Sequence, residues 1–96
     1  MTNDQIDRWQ EALRSGECKQ IVGAWASGDY QKQCCLDVAA VTLCNVHVNN
    51  PISARRYLGL SSDMVETFLN ANDSLKMNFD EIADLIEFMR KELRSE

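Results

Sequence analysis

Ninety-six residues suit one domain and leave no room for two independent cores. An apolar fraction of 45% and a charged fraction of 26% are ordinary for a globular chain and speak against disorder. The net charge of −5 disfavours non-specific attraction to nucleic acid or an anionic membrane, because either needs a surplus of Lys and Arg.

No apolar run approaches the roughly 20 residues that a bilayer-spanning helix needs. The opening MTNDQIDRWQ is polar and acidic, the opposite of a secretory signal. The expectation is a cytoplasmic chain whose four cysteines stay reduced. Cys34 and Cys35 are adjacent, which strains any mutual disulfide, and all four thiols read as small buried hydrophobes. One Pro and four Gly leave few turn signals and favour helices.

A first helix is predicted over residues 3–15. Thr2 and Gln5 make a capping box, Ile6, Trp9 and Leu13 recur at helical spacing, and Gly16 is a left-handed stop. Residues 17–32 show no clean period and read as a folded connector. It holds a short helical turn or a pair of extended residues, with Ile21, Val22 and Trp25 packed inward. From Gln33 to Val46 the chain is apolar almost all round, the pattern of a central helix packed on several sides. Asn49, Asn50 and Pro51 break it.

Ser53 is placed to cap a short helix bearing Tyr57 and Leu58 and stopped at Gly59. Ser61 or Ser62 caps the next, with Val65, Phe68 and Leu69 as its buried stripe and NANDSLKMN as the following turn. The last helix is the clearest. Asn78 and Glu81 form a capping box, and Phe79, Ile82, Leu85, Ile86, Met89 and Leu93 form one apolar stripe.

Three segments taken together resemble a family of small proteins encoded mainly by bacteriophages and prophages. They are WQEALRSGECKQ (9–20), QCCLDVAA (33–40), and YLGLSS (57–62) running into LNANDSLKMNFDEIADLIE (69–87). Asp37 departs from the family pattern, standing where members carry Gly after Cys-Cys-Leu, and the Asn-Asp turn is longer here. The resemblance implies a phage gene product working in a bacterial cytoplasm, and it brings no activity that can be carried over to particular residues.

Five constellations bear on chemistry. NANDSLKMNFDE (70–81) can be laid on an EF-hand loop, with Asn70, Asn72, Ser74, Asn78 and Glu81 at oxygen-ligand positions. Leu75, however, occupies the position that needs Gly, and no ligand before Glu81 is charged, so a helix–turn–helix corner is the better reading. Cys44 and His47 have zinc-ligand spacing, but a structural zinc site favours two such pairs on tight turns. His47 reads instead as the end of the central helix, where a cation suits the dipole. A reactive thiol needs a nearby base or helix N-terminus. Cys34 and Cys35 are best placed, yet His47 lies about three turns along the same helix from them. The carboxylates of the last helix, Asp80, Glu81, Asp84, Glu87 and Glu92, read as a solvated face, and a variant in which they imitate nucleic-acid phosphates is weakened by Arg90, Lys91 and Arg94. FDEIADLIEFM resembles the first helix of a DNA-binding helix-turn-helix, but no basic or amide-bearing recognition helix follows it.

The sequence therefore predicts an all-α single domain of about five helices around a central apolar helix (33–46), with the Phe79–Leu93 helix packed across it. The functional expectation is a non-catalytic phage-type accessory protein without metal or cofactor. It would bind and inhibit or redirect a bacterial host protein, as an anti-CRISPR inhibitor of host defence does, while working as a monomer or homodimer. The candidate contact residues are Asp80, Asp84, Glu87 and Glu66, with Arg55, Arg56 and Tyr57 as a second patch. The alternative is a small dimeric nucleic-acid-binding or transcriptional regulator.

Overall fold

The computed structural model describes Met1–Ser95. Among these residues lie six helices: α1 (Asn3–Arg14), α2 (Cys35–Cys44), α3 (Pro51–Leu58), α4 (Ser62–Asp73), α5 (Phe79–Phe88) and α6 (Arg90–Ser95). Two very short strands, β1 (Lys19–Gln20) and β2 (Lys32–Gln33), pair in parallel, Lys19 opposite Lys32 and Gln20 opposite Gln33. No described helix is long and apolar enough to cross a membrane.

Helix starts follow local chemistry. The Thr2–Gln5 and Asn78–Glu81 capping boxes are both formed, each joining the cap's side-chain oxygen and the third residue's side chain to orphan backbone N–H groups. Asn50, not Ser53, caps α3. Its Oδ1 accepts from Ser53 N at 2.8 Å, and Pro51 occupies the first turn, where its missing N–H costs nothing. Ser61 caps α4 through Met64 N at 3.2 Å. Gly16 and Gly59 take the left-handed conformation that ends α1 and α3.

α2 is the middle of the molecule, in contact with α1, α3 and α4. All of Cys35–Ala40 is buried, Asp37 included. It is shorter than the apolar run suggests. Gln33 belongs to β2 and Cys34 is the N-cap, while Asn45, at φ 55°, turns the chain out of the helix. Helix α1 lies between α2 and α5, burying Ile6, Trp9 and Leu13. Trp9, wholly buried, donates through Nε1 to the Cys35 carbonyl at 3.0 Å and meets Phe68 edge-on at 5.0 Å.

The expected single helix over 79–93 is divided at Met89, whose backbone (φ −98°, ψ 11°) leaves the α region before α6 begins. The expectation that this helix crosses the central one is also corrected. α5 packs mainly on α1, so α1 separates it from α2. Asn70–Asp73, expected as turn, form the last turn of α4.

Candidate functional site

The segment between α1 and α2 is held by amides rather than by apolar packing alone. Asn72, on α4 and fully buried, uses every polar position of its side chain. Its Oδ1 accepts from Gln20 Nε2 (2.9 Å) and Cys35 N (3.3 Å), and its Nδ2 donates to the Ile21 carbonyl (2.8 Å) and Asp73 Oδ1 (2.8 Å). Gln20 Nε2 also reaches the Met77 carbonyl at 2.7 Å. Asn72 thus supplies the acceptor for the start of α2 that the Cys34 side chain does not provide. Trp25 packs against the core and Ile21 is half-buried, but Val22, expected inward, is exposed.

The second polar hub is Asp37, in the first turn of α2 and fully buried. Its Oδ1 accepts from Val48 N (2.8 Å), and its Oδ2 from Gln33 Nε2 (2.8 Å) and His47 Nδ1 (2.9 Å). The left-handed turn at Asn45 makes this meeting happen by sending residues 46–48 back towards the beginning of the helix. His47 is therefore not the C-terminal cation of α2 that its sequence position suggests. Its imidazole is 41% exposed and stacks on Tyr30, the ring centroids 4.0 Å apart and the planes 29° from parallel.

Tyr30 is itself held in place. It sits at φ 59°, a conformation uncommon for a residue with a side chain. The surrounding loop is closed by Ser27 Oγ to Asp29 Oδ1 (2.7 Å), Gln31 N to Asp29 Oδ1 (3.1 Å) and Tyr30 N to the Ser27 carbonyl (2.9 Å). The Ser27 hydroxyl, and after it the Gln31 N–H, hold the Asp29 carboxyl below its ordinary value. Trp25, Ser27, Tyr30, His47, Asn49 and Ser53 border a cleft of about 470 Å³ between this loop, the 47–49 turn and the start of α3.

The thiols are chemically quiet. Cys34 and Cys35 are fully buried. Desolvation pushes Cys34 up to about 11, outweighing the pull of the Asp37 and Leu36 backbone N–H groups at the start of α2. Cys35 is raised well above its ordinary value by burial, and partly exposed Cys18 is raised too, chiefly by desolvation and then by Glu17. Cys44 Sγ points at the Tyr57 carbonyl (3.3 Å) while His47 Nδ1 points at Asp37, so the two do not share a focus. No group of three His, Cys, Asp or Glu side chains able to hold a metal occurs among the described residues. The EF-hand-like positions diverge as well. Asn72 faces inward to Gln20 and Ile21, while Asn78 and Glu81 are bound to each other's backbone.

The candidate contact residues fall on separate surfaces. Asp84 pairs with Arg14 at 2.7 Å, and Glu87 with Arg90 at 2.9 Å. Arg90 also reaches Asp7 (2.6 Å), Gln10 (2.9 Å) and Asn3 (3.1 Å), so one guanidinium fastens α1 to the junction of α5 and α6. Asp80 and Glu66 are exposed on α5 and α4. Arg55, Arg56 and Tyr57 are exposed on α3, and among the described residues neither guanidinium has an ion-pair partner. Ile52, on the same helix, is 70% exposed. Ser53, also on α3, lines the Tyr30–His47 cleft. Sequence reasoning missed that cleft; Asp37, a lone charge inside an apolar run, was the available sign.

No protein-family model, characterised protein or solved structure matches the chain.

Proposed function

We propose that the protein is a non-catalytic binding module of the phage accessory type, which inhibits or redirects a bacterial host protein by docking the outer face of α3 and the adjoining connector upon it. The observation that carries this reading is the exposure of Ile52, Arg55, Arg56 and Tyr57 on α3, the helix whose Ser53 lines the cleft of Tyr30 and His47, with neither guanidinium in an ion pair among the described residues. Aromatic and Arg side chains are the groups most often responsible for affinity at interfaces. Two exposed Arg residues on a chain of net charge −5 favour an acidic patch on the partner and orient its approach.

Asp84 and Glu87 are partly neutralised within the molecule, so they offer less to a basic partner than their number suggests. Asp80 and Glu66 stay available as a secondary acidic contact. The thiols of Cys34 and Cys35 are buried, and Cys44 and His47 point to different partners. A host-defence complex, inhibited in the manner of an anti-CRISPR protein, is the most concrete target class that the phage resemblance supports.

Affinity capture from bacterial lysate tests the reading, comparing the wild type with an Arg55→Glu/Arg56→Glu/Tyr57→Ala variant. All three residues are exposed, so the variant should fold. The expected result is one dominant host protein retained by the wild type and lost by the variant. Recovery of nucleic acid as the main ligand would favour the regulator alternative and overturn the proposal.

A further inference from the structure

The Tyr30–His47 cleft has a more specific chemistry than the surface around it. The Asp37 carboxylate already receives Val48 N–H and Gln33 N–H, and it faces His47 Nδ1 at 2.9 Å. An acceptor in that position fixes the neutral imidazole with its proton on Nδ1 and its lone pair on Nε2. The same arrangement, a histidine oriented from behind by a buried carboxylate, presents one ring nitrogen in a fixed direction wherever it occurs. Here Asp37 is wholly buried, while the imidazole is 41% exposed and borders the cleft. Tyr30 stacks on one face of the ring, and a loop closed by Ser27 and Asp29 holds Tyr30 at positive φ. A non-Gly residue kept at such a backbone angle by its surroundings is a recurrent mark of preorganised binding surfaces.

The lining of the cleft gives the ligand's character. It combines the aromatic bodies of Trp25 and Tyr30 with small residues of the connector, and no Lys, Arg, Asp or Glu borders it among the described residues. A charged group entering it would lose water without gaining a countercharge. A flat apolar body gains from the aromatic walls, and a single donor on that body finds the Nε2 acceptor. At about 470 Å³ the space admits an aromatic side chain with room beyond it.

We infer that this cleft receives an uncharged aromatic hydrogen-bond donor, a Tyr or Trp side chain of the protein partner, which donates its O–H or N–H to His47 Nε2. The inference rests on the proposed docking reading and names the group that anchors it, with Arg55 and Arg56 meeting the acidic surroundings of that anchor.

The experiment uses the whole chain, isotopically labelled, titrated by NMR with p-cresol, with indole and with toluene as the control lacking a donor. p-Cresol and indole should give saturable shifts confined to residues 24–30 and 47–49 and bind about fivefold or more tightly than toluene, the advantage of one well-placed hydrogen bond. His47→Phe keeps a ring to stack on Tyr30 but removes the acceptor, and it should abolish the preference for p-cresol over toluene. Equal binding of p-cresol and toluene, shifts elsewhere, no saturable shift at millimolar probe, or an unchanged preference in His47→Phe would each overturn the inference. Should the probes behave as expected while capture returns no host protein, the docking reading fails and the cleft stands. Should capture succeed while the probes fail, the reverse holds.

Discussion

Asp37 and His47 are ten residues apart in the chain, yet Asp37 Oδ2 and His47 Nδ1 are 2.9 Å apart, because the chain leaves α2 at Asn45 and turns back along it. This contact closes the 45–48 turn onto the first turn of α2 and positions the one imidazole of the molecule. Asp37→Asn tests it with little change of shape. Oδ1 serves Val48 while Oδ2 serves Gln33 and His47, so an amide must set a donor against a donor on one side. The variant should lose about 2 kcal/mol of stability in urea unfolding. It should also lose the stacking of His47 on Tyr30, visible as a change in the ring-current shifts of His47.

Asn72 does the corresponding task on the other side of α2. Asn72→Leu removes the acceptor for Cys35 N and Gln20 and the donor to Ile21 from a site without water access. A loss of about 3 kcal/mol is expected from these buried, unpaired groups. Native-state hydrogen exchange should show residues 19–23 opening first. If exchange rises evenly over the whole chain, Asn72 is not the fastening point of the connector.

Thiol labelling should divide the four cysteines into two classes. At pH 8 in the native state, Cys44 and Cys18, both partly exposed, should react with iodoacetamide well before Cys34 and Cys35. Burial removes solvent access from the inner pair, and with Cys34 held up to about 11 roughly one molecule in a thousand carries its thiolate at that pH. Mass spectrometry of timed digests reads the order directly. Rapid modification of Cys34 in folded protein would show a reactive thiol where the structure places a core one.

The Arg90 cluster makes a prediction about acid. Hydrogen bonds from Arg90 and Gln10 hold the Glu87 carboxyl below its ordinary value of 4.5. A depressed folded-state value stabilises above the unfolded value and is lost as pH falls through the folded one. The contribution of this cluster should therefore be present near neutrality and decline below about pH 4.5. Arg90→Ala should lower Tm by a few degrees at pH 7, modestly because its partner carboxylates are exposed and screened, and by less at pH 3, where Glu87 takes up its proton. Equal losses at the two pH values would mean that Arg90 acts through packing of its stem.

The sequence foretold those parts of the molecule that local chemistry decides. Thr2–Gln5 and Asn78–Glu81 are capping boxes because the side chains that satisfy the first turn lie within it, and the Ile6–Trp9–Leu13 stripe identifies its own buried face. What that face packs against is a property of the whole chain, so α5 was expected on α2 and is found on α1. The end of α2 was misjudged because apolar residues continue past it. Asn45, a residue tolerant of positive φ, stops the helix without Gly or Pro. The break at Met89 has no Gly or Pro either, and the pattern of Ile86, Met89 and Leu93 runs straight through it. His47 could not be placed by spacing, since its partner becomes adjacent only after the turn at Asn45 forms. Asp37 was the clue, a carboxylate in an apolar run that burial requires to find donors.

Hydrogen–deuterium exchange on the captured complex tests most directly that α3 and the connector are the working surface. Backbone protection relative to the free chain should concentrate in residues 24–30 and 47–58, leaving Asp84–Glu87 of α5, whose carboxylates are paired within the molecule, unchanged. Protection confined to α5, with α3 exchanging as in the free protein, would contradict the account.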